Sequence, residues 1–157
     1  MKRIFILTAA ISVLLFSCQS DSKKYTTVDS SIMSDEVVKY NSPDECFTYS
    51  KNNDNVSLLI YGTGDNKVLG KLNYNLDGKD KNEGSFYGYT VGDTIIVDYK
   101  FQSEGVWSKR QVAWIRQGDK FLEGYGETYQ DKDIVKFKNY RKLTYGNSIV
   151  LEKTDCK

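Results

Sequence analysis

Thr94-Ile95-Ile96-Val97-Asp98-Tyr99-Lys100-Phe101 is the stretch on which the fold turns. Ile95, Val97, Tyr99 and Phe101 recur at every second position, with Asp98 and Lys100 between them. Side chains of a strand alternate between two faces, so this period marks a strand with one dry and one wet face. β-Branched and aromatic residues suit a pleated, half-buried surface, and they dominate this run. Just before it, Gly92-Asp93 is a strong hairpin signal.

The same reading extends in both directions. Short apolar runs at 46–49, 56–61, 68–76 and 85–91 precede it, divided by turn residues such as Lys51-Asn52-Asn53-Asp54 and Gly62-Thr63-Gly64-Asp65-Asn66. Runs at 106–116, 121–125, 134–137 and 148–152 follow it. No stretch in this region has a convincing helical period. An aromatic content of 13% with a single proline also suits a continuous sheet. The expectation is an all-β domain at 43–157, long enough for one core and too short for two. Strands at this spacing joined by hairpins predict a single antiparallel up-and-down β-barrel of about eight strands, lipocalin-like in outline, with a β-sandwich as the alternative.

The N-terminus reads differently. Lys2 and Arg3 precede an uncharged apolar run at 4–16 that is too short to span a bilayer, which takes about 20 residues. A short apolar run behind a basic start is a secretory signal, here residues 1–17. Residues 18–42 are rich in Ser, Thr, Asp and Lys and are read as a flexible tether. Removing Lys2 and Arg3 with the signal takes 22 basic residues against 21 acidic to 20 against 21, and the net charge from +1 to −1. A near-neutral, exported chain is not expected to bind nucleic acid.

Leu15-Phe16-Ser17-Cys18 resembles a bacterial lipobox, with Phe16 departing from the usual small or aliphatic residue. The resemblance implies a lipoprotein in which Cys18 carries a diacylglycerol and, after cleavage, a fatty acyl group such as palmitate on its amine. Two or more acyl chains hold a protein stably on a membrane. Gln19 is not the Asp that resembles an inner-membrane retention signal, so the expected location is the cell envelope at the outer membrane. The periplasmic and surface faces both stay open. With Cys18 lipidated, Cys46 and Cys156 remain as an even pair in an oxidising compartment. They lie at the two ends of the domain, and a barrel places its first and last strands side by side. A disulfide between them is expected, closing a loop of about 110 residues and adding up to about 4–5 kcal/mol in the chain-entropy model.

The chain has no histidine. That removes Ser-His-Asp and Cys-His catalysis and the common zinc sites. No cofactor and no metal site is expected, and the reading is non-enzymatic. Carboxylate pairs alone could still hydrolyse glycosides, which keeps a carboxylate-dependent hydrolase as a weaker alternative. The densest polar cluster is Ser103-Glu104-Gly105 with Arg110, followed by Glu123-Gly124-Tyr125-Gly126. If Val106, Ser108, Arg110, Val112 and Trp114 share a strand face, Arg110 lies among apolar neighbours and needs a carboxylate, Glu104 or Glu123. This trio is either a ligand-binding polar spot inside the barrel or a structural ion pair at its end. Tyr61, Tyr74, Tyr87, Tyr89, Tyr99 and Trp107 could stack a sugar or an apolar ligand, though tyrosine pairs across strands more often pack the sheet.

The segments 99–105, 108–113 and 123–126, with Gly88 and Gly92-Asp93-Thr94-Ile95 before them, resemble a group of small lipoproteins common in the Bacteroidota. The resemblance implies location and class and brings no active site. Asp93-Thr94-Ile95 also resembles the O-glycosylation site of exported proteins of that phylum, with Thr94 as acceptor; the alternative is a plain hairpin turn. Asn55-Val56-Ser57 is an N-glycosylation sequon, which means little in a bacterium. The functional expectation is a membrane-anchored envelope domain that binds a small ligand or an envelope protein. The alternative is a structural or accessory lipoprotein with a filled core.

Overall fold

The computed structural model describes residues 42–62 and 65–156. The signal at 1–17, the lipidation residue Cys18 and nearly all of the tether at 18–42 lie outside the described residues. The strands are β1 (Glu45–Lys51), β2 (Asp54–Gly62), β3 (Lys67–Asn75), β4 (Asn82–Val91), β5 (Thr94–Ser103), β6 (Val106–Gln117), β7 (Lys120–Tyr125), β8 (Thr128–Asp131), β9 (Ile134–Phe137) and β10 (Thr144–Thr154). A single 3-10 turn at Tyr140–Lys142 interrupts them.

β1 to β7 form a meander in which each strand is antiparallel to the next. β10 then pairs with β7 on one side and β1 on the other. Eight strands therefore close a ring, and the sandwich alternative is excluded. β8 and β9 form an extra hairpin outside the ring, attached to β6 by the parallel pair Arg110–Val135. A salt bridge from Lys109 to Asp133 and a hydrogen bond from the Phe137 amide to Gln111 Oε1 at 3.1 Å hold the hairpin there. The sequence gives no sign of β8: Thr-Tyr-Gln-Asp has no apolar alternation, and it is extended because β9 supplies a partner.

The alternation read from 94–101 is the alternation of the barrel. Ile95, Val97 and Tyr99 face inward and are buried, and Phe101 is partly buried against the same core. Phe47, Leu58, Leu72, Trp114, Phe121 and Leu151 meet them there with none of their surface exposed. The rings interlock: Phe47 and Phe121 lie 4.6 Å apart, Tyr99 and Phe101 4.9 Å, Phe86 and Trp114 5.8 Å. These are the spacings at which aromatic pairs attract beyond their burial.

Glycine makes this filling possible. Gly84 stands between Leu72 and Phe101 in the register and adds no side chain to the interior. Tyr99 Oη crosses here to donate to the Leu72 carbonyl at 2.7 Å. At Gly88 a Cβ would lie 2.0 Å from the Ile96 carbonyl oxygen. Gly92, by contrast, has open space around it but a positive φ of 58°.

Cys46 and Cys156 are joined as expected, with Cα atoms 5.3 Å apart, across the β1–β10 seam. Mass spectrometry of the unreduced chain should therefore find no free thiol at either position. Replacing both with serine should lower stability by about 2–5 kcal/mol, read from urea melts. The two glycines should separate in the same melts. Gly88→Ala has to push strand β5 away and should cost about 2–3 kcal/mol or more. Gly92→Ala meets only the left-handed backbone penalty and should cost about 1–2 kcal/mol.

Candidate functional site

β6 carries the chemistry. Its inward positions are Arg110, Val112, Trp114 and Arg116, so one strand sends two guanidiniums toward the core at different heights. The facing predicted from the sequence holds for Arg110, Val112 and Trp114, whereas Val106 and Ser108 are exposed at the mouth.

Arg116 lies at the end of the barrel where β1 begins. Its fork meets Glu45, with Nη2 2.6 Å from Oε2 and Nη1 3.2 Å from Oε1. Lys153 joins the same carboxylate at 3.0 Å. The guanidinium also sits over the Phe121 ring at 4.4 Å and the Phe47 ring at 5.5 Å. Burial pushes the Glu45 carboxyl up, but the contacts with Arg116 and Lys153 outweigh it and hold the group below its usual range. Arg116 was legible in the sequence as the next member of the 110–112–114 alternation.

Arg110 is half-buried nearer the other end, inside a cage of rings. Its guanidinium carbon is 5.1 Å from the Tyr74 centroid, 5.3 Å from Phe101 and 5.8 Å from Tyr99. Cation–π attraction of this kind grows as water is excluded. Among the described residues Arg110 makes no ion pair, and its charge favours the ionised form of Glu123 through the field. Glu104 is not part of this cluster. It occupies a two-residue hairpin turn with Gly105, φ 47° and 82°, and is exposed. Two left-handed residues between Ser103 and Val106 are the signature of a type I′ turn, and Glu104-Gly105 forms that turn.

Glu123, 7% exposed, is the one buried charged residue among those described. It pairs in register with Trp114. Burial raises its carboxyl to about 7, while Tyr74 and Arg110 pull the other way. Burial likewise pushes the Tyr74 hydroxyl well above its ordinary range, and the Tyr99 hydroxyl is raised for the same reason. Among the described residues, Tyr74 Oη, Arg110 Nε, Trp114 Nε1 and Glu123 Oε2 are buried with no hydrogen-bond partner. The Tyr74 hydroxyl is near enough to favour ionised Glu123 without completing a hydrogen bond. A carboxyl that changes charge near neutrality beside a ring-caged cation can hold and release a proton. The cluster combines three donors and one titrating acceptor.

The remaining sequence-predicted positions are scattered. Tyr74 and Tyr99 are inside the barrel, whereas Tyr89 and Trp107 are exposed on its outer surface, 44% and 55%. Lys100 Nζ lies 4.9 Å over the Trp107 ring. Thr94 is half-buried at the start of β5, next to exposed Asp93. Cys18 lies outside the described residues.

A second feature has no counterpart in the sequence reading. A cleft of about 300 Å³ opens on the outer wall, lined by Val91, Thr94, Tyr140, Arg141 and Tyr145. It is assembled from the end of β4, the start of β5, the 3-10 turn and β10, which are far apart in the chain. Gly124 and Gly126 bring it together: a Cβ at Gly124 would meet the Tyr145 ring at 2.6 Å, and one at Gly126 would meet Leu143 at 2.6 Å.

Comparison with protein-family models, with curated proteins and with solved structures gives no match.

The raised Glu123 carboxyl sets a pH dependence. Between pH 4.5 and 7 the folded chain keeps a proton that the unfolded chain has released, so stability falls as pH rises through this window. A rise from 4.5 to about 7 corresponds to about 3 kcal/mol. Glu123→Gln should remove this slope and melt above the wild type at pH 8, as thermal melts at pH 5, 6, 7 and 8 will show. A wild type that becomes more stable over that range, relative to Glu123→Gln, would mean that Glu123 is ionised and well paired.

Proposed function

We propose that the mature chain is a lipid-anchored envelope protein without catalytic activity, whose barrel serves as a binding module working at its outer surface. The observation behind the outward placement is the filling of the ring by its own side chains, a filling that the structural or accessory alternative also predicts. Trp114, Tyr99, Phe47, Phe121, Leu58 and Leu72 occupy the space that a lipocalin-like barrel would offer to a ligand. Among the described residues, surface open to a partner includes the cleft beside Thr94 on the outer wall, Trp107 on the outer surface and Val106 at the mouth.

The polar cluster inside supports the same reading. Glycoside hydrolysis needs two carboxyls facing each other across an open site. Among the described residues one carboxylate is fully buried, Glu123, beside a cation and three ring systems, and Glu45 at the far end is held by Arg116 and Lys153. Such a cluster tunes the core and leaves no second acid for a displacement.

Anchorage rests on the lipobox-like Leu15-Phe16-Ser17-Cys18, and Gln19 favours the outer membrane. The strands add a geometric corollary. β1 begins with Glu45 at the end that also holds the disulfide, and the mouth carrying Val106 and Trp107 is the opposite end of the ring. Cys18→Ala, expressed in the source cell and fractionated, should leave the membrane pellet and collect in the soluble or secreted fraction. A variant that stays with the pellet would place the anchor elsewhere.

A further inference from the structure

We propose that the outer cleft lined by Val91, Thr94, Tyr140, Arg141 and Tyr145 binds an acidic sugar, a pyranose bearing a carboxylate. This deepens the reading of the barrel as an outward-facing binding module and rests on it.

Three described arginines have three different fates. Arg116 is spent on Glu45, and Arg110 is caged by rings. Arg141 is exposed and makes no ion pair among the described residues, yet it is held in place. Its backbone amide donates to Asn139 Oδ1 at 2.9 Å, and its guanidinium carbon lies 5.0 Å from the Tyr140 ring centroid. The following Lys142 amide donates to the Asn139 carbonyl at 3.1 Å, which closes the turn. A guanidinium fixed against an aromatic face loses little freedom on meeting a partner, and its fork fits a carboxylate with two parallel bonds.

The rest of the cleft suits the body of a sugar. Tyr140 and Tyr145 line the cleft with aromatic surface suited to the apolar side of a pyranose, and Val91 adds apolar surface. Thr94 Oγ1 and the two tyrosine hydroxyls can exchange hydrogen bonds with ring hydroxyls. A volume of about 300 Å³ is at the small end for ligand sites and matches one ring better than a chain of them. One wall is firm: Tyr145 seats against Gly124, where a Cβ would meet its ring at 2.6 Å.

The test uses the full protein in detergent, with D-glucuronate as probe and D-glucose and acetate as controls. Saturation-transfer NMR should show glucuronate ring protons receiving magnetisation. Calorimetry should find glucose and acetate each weaker than glucuronate by about tenfold or more. Arg141→Gln and Tyr140→Ala should each weaken glucuronate by about tenfold or more, and Arg141→Lys, which keeps the charge and loses the fork, should fall between. Both side chains reach solvent, so the melting temperatures of the arginine variants should stay at the wild-type value. Failure of glucuronate to bind, unchanged binding in Arg141→Gln, or acetate binding as well as glucuronate would each overturn the site. If glucuronate fails while Cys18→Ala still leaves the membrane, the anchored-module reading survives and the cleft assignment does not.

Discussion

The pairing of β1 with β10 is what makes this chain a barrel. It spans three residue pairs, Cys46–Thr154, Phe47–Lys153 and Thr48–Glu152, fewer than any other seam between ring strands. Every other ring contact is between strands joined by a hairpin, or rests on β10 having already come home. Three additional devices act on this short seam. The disulfide ties Cys46 to the segment after β10, Lys153 reaches across to Glu45, and Arg116 clamps Glu45 from inside the ring. With the seam made, Phe47 and Leu151 face each other's neighbours in a core that exposes neither. Without it, the same residues would line an open sheet with a wet face.

Much of this is legible in the sequence. Alternation at 94–101 set the strand, its facing and the class of fold, because a period of two has one physical cause. The cysteine pairing followed from counting once Cys18 was set aside. The inward facing of Arg110 followed from its step from Val112 and Trp114. Of the two carboxylates the sequence offers Arg110, Glu104 and Glu123, only Glu123 is buried; Glu104, six residues from Arg110, sits in a type I′ turn and is exposed. Glu104-Gly105 is a two-residue turn signal, and that chemistry leaves Glu123 as the acid inside the ring. The cleft was not legible at all, since its lining comes from β4, β5, the 3-10 turn and β10, and no local pattern announces neighbours that distant.

Glu123-Gly124-Tyr125-Gly126 shows how tightly the inside and the outside are coupled. Glu123 points into the core beside Trp114, Arg110 and Tyr74. The next residue, Gly124, seats Tyr145 and Leu143 on the outer wall. Alternation along one strand thus places a titrating carboxyl and the foundation of the cleft on adjacent residues. A change in the charge of Glu123 acts on the same short strand that positions Tyr145. Packed interiors transmit small displacements because they have little room to absorb them.

Closure between the first and last strands also imposes an order on events. A polypeptide emerges with its N-terminus leading, so β1 is available while most of the ring is still missing. Its partner β10 comes last, and the loop between Cys46 and Cys156 spans 110 positions. Until then β2 covers only one edge of β1, and the other edge stays open with its backbone groups unpaired. Such an edge invites pairing with other chains. The residues β1 shows there are not inviting: Thr48, Ser50 and Lys51 are exposed and polar or charged, and Glu45 opens the strand with a negative charge. Read as a waiting edge, β1 is built to remain solitary until the only strand that carries Lys153 for its glutamate and leads to a cysteine for its own arrives.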